Sequence, residues 1–179
     1  EVYNKQNQGG IWGPFLENAL FSWGYNGSDS AGTLGQNQAP AQLTAGSSPV
    51  QIPGNWNLKS NAAWGYYNAV ALVTKTDGTL WSWCQGQNGV SGLNDNVYRS
   101  SPTQVGTDTT WAWVYSTYQN GYATKTDGTL WAWGGNGDGQ LGLNVSGDPG
   151  RRSSPTQVGS GTDWSTANNC ISGARGGVW

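Results

Sequence analysis

"KTDGTLWAWGGNGDGQLG" (residues 125–142) sets two tryptophans one residue apart behind an Asp-Gly step, then runs on through glycines. It reads as a calcium loop, as a sugar-binding aromatic pair, or as the hinge of a repeated unit. Self-similarity decides among these. "TKTDGTLWSWCQGQNGVSGLN" (74–94) and "TKTDGTLWAWGGNGDGQLGLN" (124–144) align without a gap, 50 positions apart. "SSPTQVG" recurs at 100–106 and 153–159, with a weaker copy, "SSPVQIPG", at 47–54, and Trp56, Trp111 and Trp164 follow the three copies. Periods of this size mark solenoids, propellers or arrays.

The ends fall into the same register. "GPFLENALFSWG" (13–24) places Glu17-Asn18 where the other copies have Asp-Gly, and "ISGARGGVW" (171–179) matches "ATKTDGTLW" (123–131) in length and in Gly176 and Trp179. The chain divides into a lead-in (1–12), a divergent first repeat (13–63), a second (64–115), a third (116–165) and the start of a fourth (166–179). The first repeat carries about ten extra residues in "SDSAGTLGQNQAPAQLTAG" (28–46), a length set by the repeat spacing.

Within a repeat, Asp77-Gly78 and Asp127-Gly128 predict hairpin turns, because glycine accepts the positive φ that a tight or bulged hairpin demands. In the following arm Thr129, Trp131 and Trp133 share one face and Leu130 and Ala132 the other. Both faces are largely apolar, which predicts a strand held between layers. Pro102 and Pro155 cannot donate to a central ladder and predict a strand start or edge. No stretch holds a 3.6-residue apolar period. About four short strands per roughly 50-residue repeat is the arithmetic of a propeller blade.

"DGTLWAWGGNGDGQLGLN…SSPTQVG…DW" resembles the repeat of the regulator-of-chromosome-condensation propellers, in the variety common among bacterial and bacteriophage proteins, over nearly the whole chain from Gly13 to Trp179. The resemblance implies an all-β fold of four-stranded antiparallel blades around an axis, typically seven of them. It makes Asp77, Gly78, Trp81, Trp83, Asp127, Gly128, Trp131, Trp133, Gly139, Gly142, Pro102 and Pro155 the structural signature of a blade. Three blades form only an arc, whose open faces a repeat array must cap. The arc belongs to a longer chain, or is completed by other copies, or stays open against a partner, and the stop within a repeat at Trp179 favours the first; the absence of any Met points to a processed form or a fragment.

Composition narrows the function classes. Charged residues make up 10% of the chain, against about 25% in an average domain. With a net charge of -2 and no basic run longer than Arg151-Arg152, the chain lacks the cationic surface that phosphate backbones require. No stretch approaches the roughly 18 apolar residues that span a bilayer. Nucleic acid and membrane are thus not expected partners.

Site chemistry is sparse. With no histidine and only Glu1 and Glu17 as glutamates, an acid/base site has no obvious members, and the expectation is a protein that is not an enzyme. Cys84 and Cys170 belong to no metal-binding pattern; a disulfide and two buried thiols both stay open. "GGNGDGQLG" has Gly139 where a calcium-binding nonapeptide has its aspartate, and the loop at 84–92 has no acid at all. No metal or cofactor is expected. Val90-Ser91-Gly92 in place of Gln140-Leu141-Gly142, and Cys84 in place of Gly134, argue for relaxed demands in these loops and against one repeated ligand site. The sequons at Asn26 and Asn144 lie in Asn/Gly/Ser-rich loops where such triplets arise by chance.

Of the 12 tryptophans and 8 tyrosines, Trp81, Trp83, Trp131 and Trp133 recur at strand positions and are expected between blades. Trp12, Tyr66, Tyr67, Tyr115 and Tyr118 fall outside the pattern and form the candidate contact surface. Nothing matches the appendages through which eukaryotic members of the resembled family act in guanine-nucleotide exchange. The expected function is a non-catalytic interaction and assembly module, set in a bacteriophage virion as a fibre or decoration component. The alternative is a secreted bacterial propeller that binds a protein or a glycan. Either setting is virion or extracellular.

Overall fold

The computed structural model describes residues 18–26, 32–38, 42–58, 63–64, 70–84, 86–117 and 119–164. Among them are ten β-strands and two single turns of 3-10 helix, Gln87–Gly89 and Asp148–Gly150. The fold is all-β, as the repeat arithmetic predicts.

The first repeat contributes β1 (Leu20–Tyr25) and β2 (Ala45–Ile52), which pair antiparallel. Strands β3 (Ala63–Trp64), β4 (Val70–Thr74), β5 (Leu80–Cys84) and β6 (Arg99–Gln104) form a four-stranded sheet in that order. Strands β7 (Trp111–Ser116), β8 (Asn120–Lys125), β9 (Leu130–Gly134) and β10 (Arg152–Gln157) form the next, again as a meander. The sheets are therefore out of phase with the sequence period: the Trp111 strand opens the second four-stranded sheet.

The Asp-Gly turns take the bulged form. Lys125 N–H donates to Thr129 O, and Gly128 N–H to Lys125 O, with φ of 80° at Gly128. Lys75, Gly78 and Thr79 repeat the pattern. The proline-bearing strands β6 and β10 are sheet edges, where a missing donor does not break a ladder.

Two cores join the sheets. Leu20, Ile52 and Trp56 pack with Ala71, Val73 and Trp83 at the first joint. Val70, Leu72, Leu80, Val90 and Val105 pack with Trp111, Val114, Ala123 and Trp133 at the second. The central strands β4 and β8 are buried along their whole length. The sheet β3–β4–β5–β6 thus hides both faces, one against the sheet before it and one against the sheet after.

Candidate functional site: the joints between blades

The Asp-Gly-Thr-Leu-Trp segment is more than a turn. Asp127 Oδ1 accepts hydrogen bonds from Thr129 N–H (3.0 Å) and Thr129 Oγ1 (2.7 Å), and Thr129 Oγ1 in turn accepts the Trp131 indole N–H (2.8 Å). Asp77, Thr79 and Trp81 make the same relay at 3.0, 2.6 and 2.8 Å. The Thr129 backbone and hydroxyl bonds hold the Asp127 carboxyl below its ordinary range. At Asp77 the Thr79 hydroxyl is the first cause and the backbone N–H the second. Both aspartates therefore orient a tryptophan, a role the turn reading did not contain.

The oriented ring carries a cation. Lys125 Nζ lies 3.9 Å from the Trp131 ring centroid and 4.8 Å from that of Trp111, and Lys75 Nζ lies 3.5 Å from Trp81 and 5.2 Å from Trp56. The ring pairs meet edge to face at 5.9 and 6.2 Å. Such cation–π contacts contribute from about 0.5 kcal/mol to about 2 kcal/mol as water is excluded.

The second tryptophan of each arm locks one blade to the preceding one. Trp83 donates its indole N–H to Thr33 O at 3.2 Å, and Trp133 donates to Val90 O at 2.9 Å. Gly35 and Gly92, with φ of 68° and 73°, lie so close to these rings that a β-carbon would stand 2.7 and 2.9 Å from Nε1. Asn37 and Asn94 follow in the left-handed region, with φ of 57° and 61°. Their N–H groups donate to Ser100 O and Ser153 O of the next edge strand, both within 2.8 Å.

Leu34-Gly35-Gln36-Asn37 is thus the counterpart of Ser91-Gly92-Leu93-Asn94 and of Leu141-Gly142-Leu143-Asn144. Relaxed demands do not extend to the backbone of the first two loops: the residues vary, but Asn37 and Asn94 clasp the neighbouring blade. The legible signal is Gly-x-Asn at 35–37, 92–94 and 142–144, masked in the first repeat by the roughly ten extra residues within 28–46. Asn26 and Asn136 were also missed as loop organisers. The Asn136 side chain donates to Val145 O and accepts from Leu141 N–H; Asn26 does the same with Leu43 O, Gln38 O and Leu34 N–H. The Asn26 side chain is consequently buried and engaged.

Each joint leaves an outer groove. The first, of about 580 Å³, is bordered by Asn37, Ile52, Pro53, Trp56, Lys75, Trp81 and Pro102. The second, of about 430 Å³, is bordered by Asn94, Val105, Asp108, Trp111, Lys125, Trp131 and Pro155. These are matched positions. They differ in two polar groups: Asp108 pairs with Lys125 at 2.5 Å, which lowers the Asp108 pKa, and the Trp111 indole N–H has no partner among the described residues where Trp56 donates to Ile52 O.

Of the other residues singled out in the sequence, Gly139 and Gly142 adopt φ of 81° and 66°. Tyr115 is half-buried and stacks on Trp113 at 5.9 Å. Trp12, Tyr66, Tyr67, Tyr118, Cys170 and the segment 166–179 lie outside the described residues. Among the described residues no three His, Cys, Asp or Glu side chains cluster as metal ligands, and no helix is long and apolar enough to cross a membrane.

Comparison with known proteins follows the same lines. Residues 127–169 match the family model of the Regulator of chromosome condensation (RCC1) repeat. Among solved structures, human WBSCR16 is similar at 16% identity and a TM-score of 0.57, over 79% of this chain and 33% of that one. Prp20p from Saccharomyces cerevisiae is similar at 19% identity and 0.63, over 79% and 34%. Yeast RCC1 (Prp20) bound by Kap60 is similar at 18% and 0.61, over 80% and 32%. The chain spans about a third of each of these structures. No curated protein matches it in sequence. Residues 127–169 thus match an RCC1 repeat, and the fold of the described residues is that of propeller blades.

Proposed function

We propose that this chain is a non-catalytic interaction and assembly module whose exposed first-blade face is covered, in the working object, by another blade. One observation carries this reading. Trp83 and Trp133 are fully buried against the loop of the preceding blade, whereas Trp23, at the same place on β1, is 60% exposed. Tyr25 beside it is 61% exposed. Large apolar side chains set together on a surface mark an interaction site, and repeat arrays need their ends covered. A further blade of a longer chain or another copy is the proposed source of the covering Gly-x-Asn loop.

The likeness to solved structures supports protein partners. Prp20p is described with binding properties to Gsp1p and histones, and yeast RCC1 (Prp20) is bound by Kap60. Fold alone does not transfer those partners. The setting proposed is a bacteriophage virion, as a fibre or decoration component, or otherwise the extracellular medium. The low charge content and the richness in glycine and tryptophan support it.

Mass spectrometry of particles purified from the source tests this setting. Co-purification with capsid or tail proteins is the expected result. A free monomer retained on a glycan column would instead favour the secreted binding protein.

A further inference from the structure

The two grooves are matched in shape and unmatched in charge. In the second, Asp108 caps the Lys125 ammonium. In the first, the connection from Ile52 to Trp56 is Pro53-Gly54-Asn55, two residues shorter than Gly106 to Thr110 and without an acid. Lys75 makes no ion pair among the described residues; only the two tryptophan rings face its ammonium. Asp77, which senses the Lys75 charge, is turned onto Thr79. An ammonium has three donors, and rings satisfy none of them as a carboxylate does. The second groove is a worked example of what the first one lacks.

We propose that the first groove binds the carboxylate of an aspartate or glutamate side chain from a partner protein, seated on Lys75 as Asp108 is seated on Lys125. Val50, Ile52, Pro53 and Pro102 border this groove and receive the apolar residues that flank the acid. The larger volume of the first groove, about 580 Å³ against about 430 Å³, leaves room for those flanks. A charge-assisted hydrogen bond beside water-excluding rings is stronger than the same pair in water. This inference rests on the reading of the chain as an interaction module and names the chemistry of one partner contact.

The test is a titration of the full, isotope-labelled chain with acetyl-Val-Asp-Val-amide and with its Asn twin, read at the indole N–H signals. The Asp peptide is expected to shift the Trp56 and Trp81 signals saturably, and the Asn twin to bind at least tenfold more weakly. Lys75→Gln is expected to abolish the difference. Asp108→Asn is expected to open the second groove, so that Trp111 and Trp131 also respond. Equal binding of both peptides, or no response of Trp56 and Trp81 at millimolar peptide, would overturn the proposal. Should Lys75→Gln fail to fold, the peptide pair and Asp108→Asn decide the matter on an unaltered first groove. The titration reads this groove alone, so its failure leaves the covering of Trp23 to be judged by other means.

Discussion

At the scale of single residues, the repeats show substitutions that exchange one means of holding a loop for another. Ser22 and Ser82 donate their hydroxyls to Leu34 O and Ser91 O from the middle of the Trp arm. The third blade has Ala132 there, and its cross-strand partner Tyr122 donates to Gln140 O instead. Burial pushes the Tyr122 phenol up to about 12, so it stays a donor throughout the working range. Installing the second blade's pair tests this exchange: Tyr122→Leu alone is expected to cost about 1 to 3 kcal/mol. Adding Ala132→Ser should restore part of that, with a coupling of at least about 0.5 kcal/mol in denaturant unfolding. Strict additivity would contradict the account.

Acid sensitivity belongs to the same scale. Asp77, Asp95, Asp108 and Asp127 all have folded pKa values below the ordinary 3.8, chiefly through hydrogen bonds from Thr79, Arg99, Lys125 and Thr129. A depressed carboxyl pKa adds stability that is present above the unfolded value and lost as pH falls through the folded one. With no histidine, thermal melts are expected to be flat from about pH 5 to pH 8 and to fall below about pH 4. A step near pH 6 would contradict this. The turn role of Asp77 and Asp127 was legible from the dipeptide. Their hold on Trp81 and Trp131 was not, because a side-chain relay across two residues leaves no periodic trace.

At the scale of elements, the unit of stability is the joint rather than the sheet. A sheet of four short strands buries its two faces only between neighbours, so each Trp-x-Trp arm works on two blades at once. Trp133→Phe keeps most of the apolar area but leaves Val90 O without its donor, and it is expected to cost about 1 to 3 kcal/mol. Gly92→Ala forces a side chain into a left-handed backbone and against the Trp133 ring, at more than about 1 kcal/mol. Hydrogen exchange should then rise in both four-stranded sheets, since the lesion lies between them. Exchange rising in one sheet only would contradict this. Strands and turns were legible because hairpin residues and alternation are local signals. The offset between sequence period and sheet was not, because pairing of Trp111 with Lys125 is decided by tertiary contact.

At the scale of the molecule, the described residues form propeller blades joined at two packed interfaces, and the proposed assembly covers Trp23 in the same way. The fold class followed from two near-identical segments 50 residues apart. The matched grooves did not, since Asp108 and Lys125 stand 17 positions apart and only the folded joint brings them together. The most direct test of the assembly reading is hydroxyl-radical footprinting of Trp23 in the isolated chain and in the particle or full-length protein from its source. The account predicts that Trp23 is oxidised freely in the isolated chain and protected in the assembled object to the level of Trp83 and Trp133. Equal oxidation of Trp23 in both would contradict it.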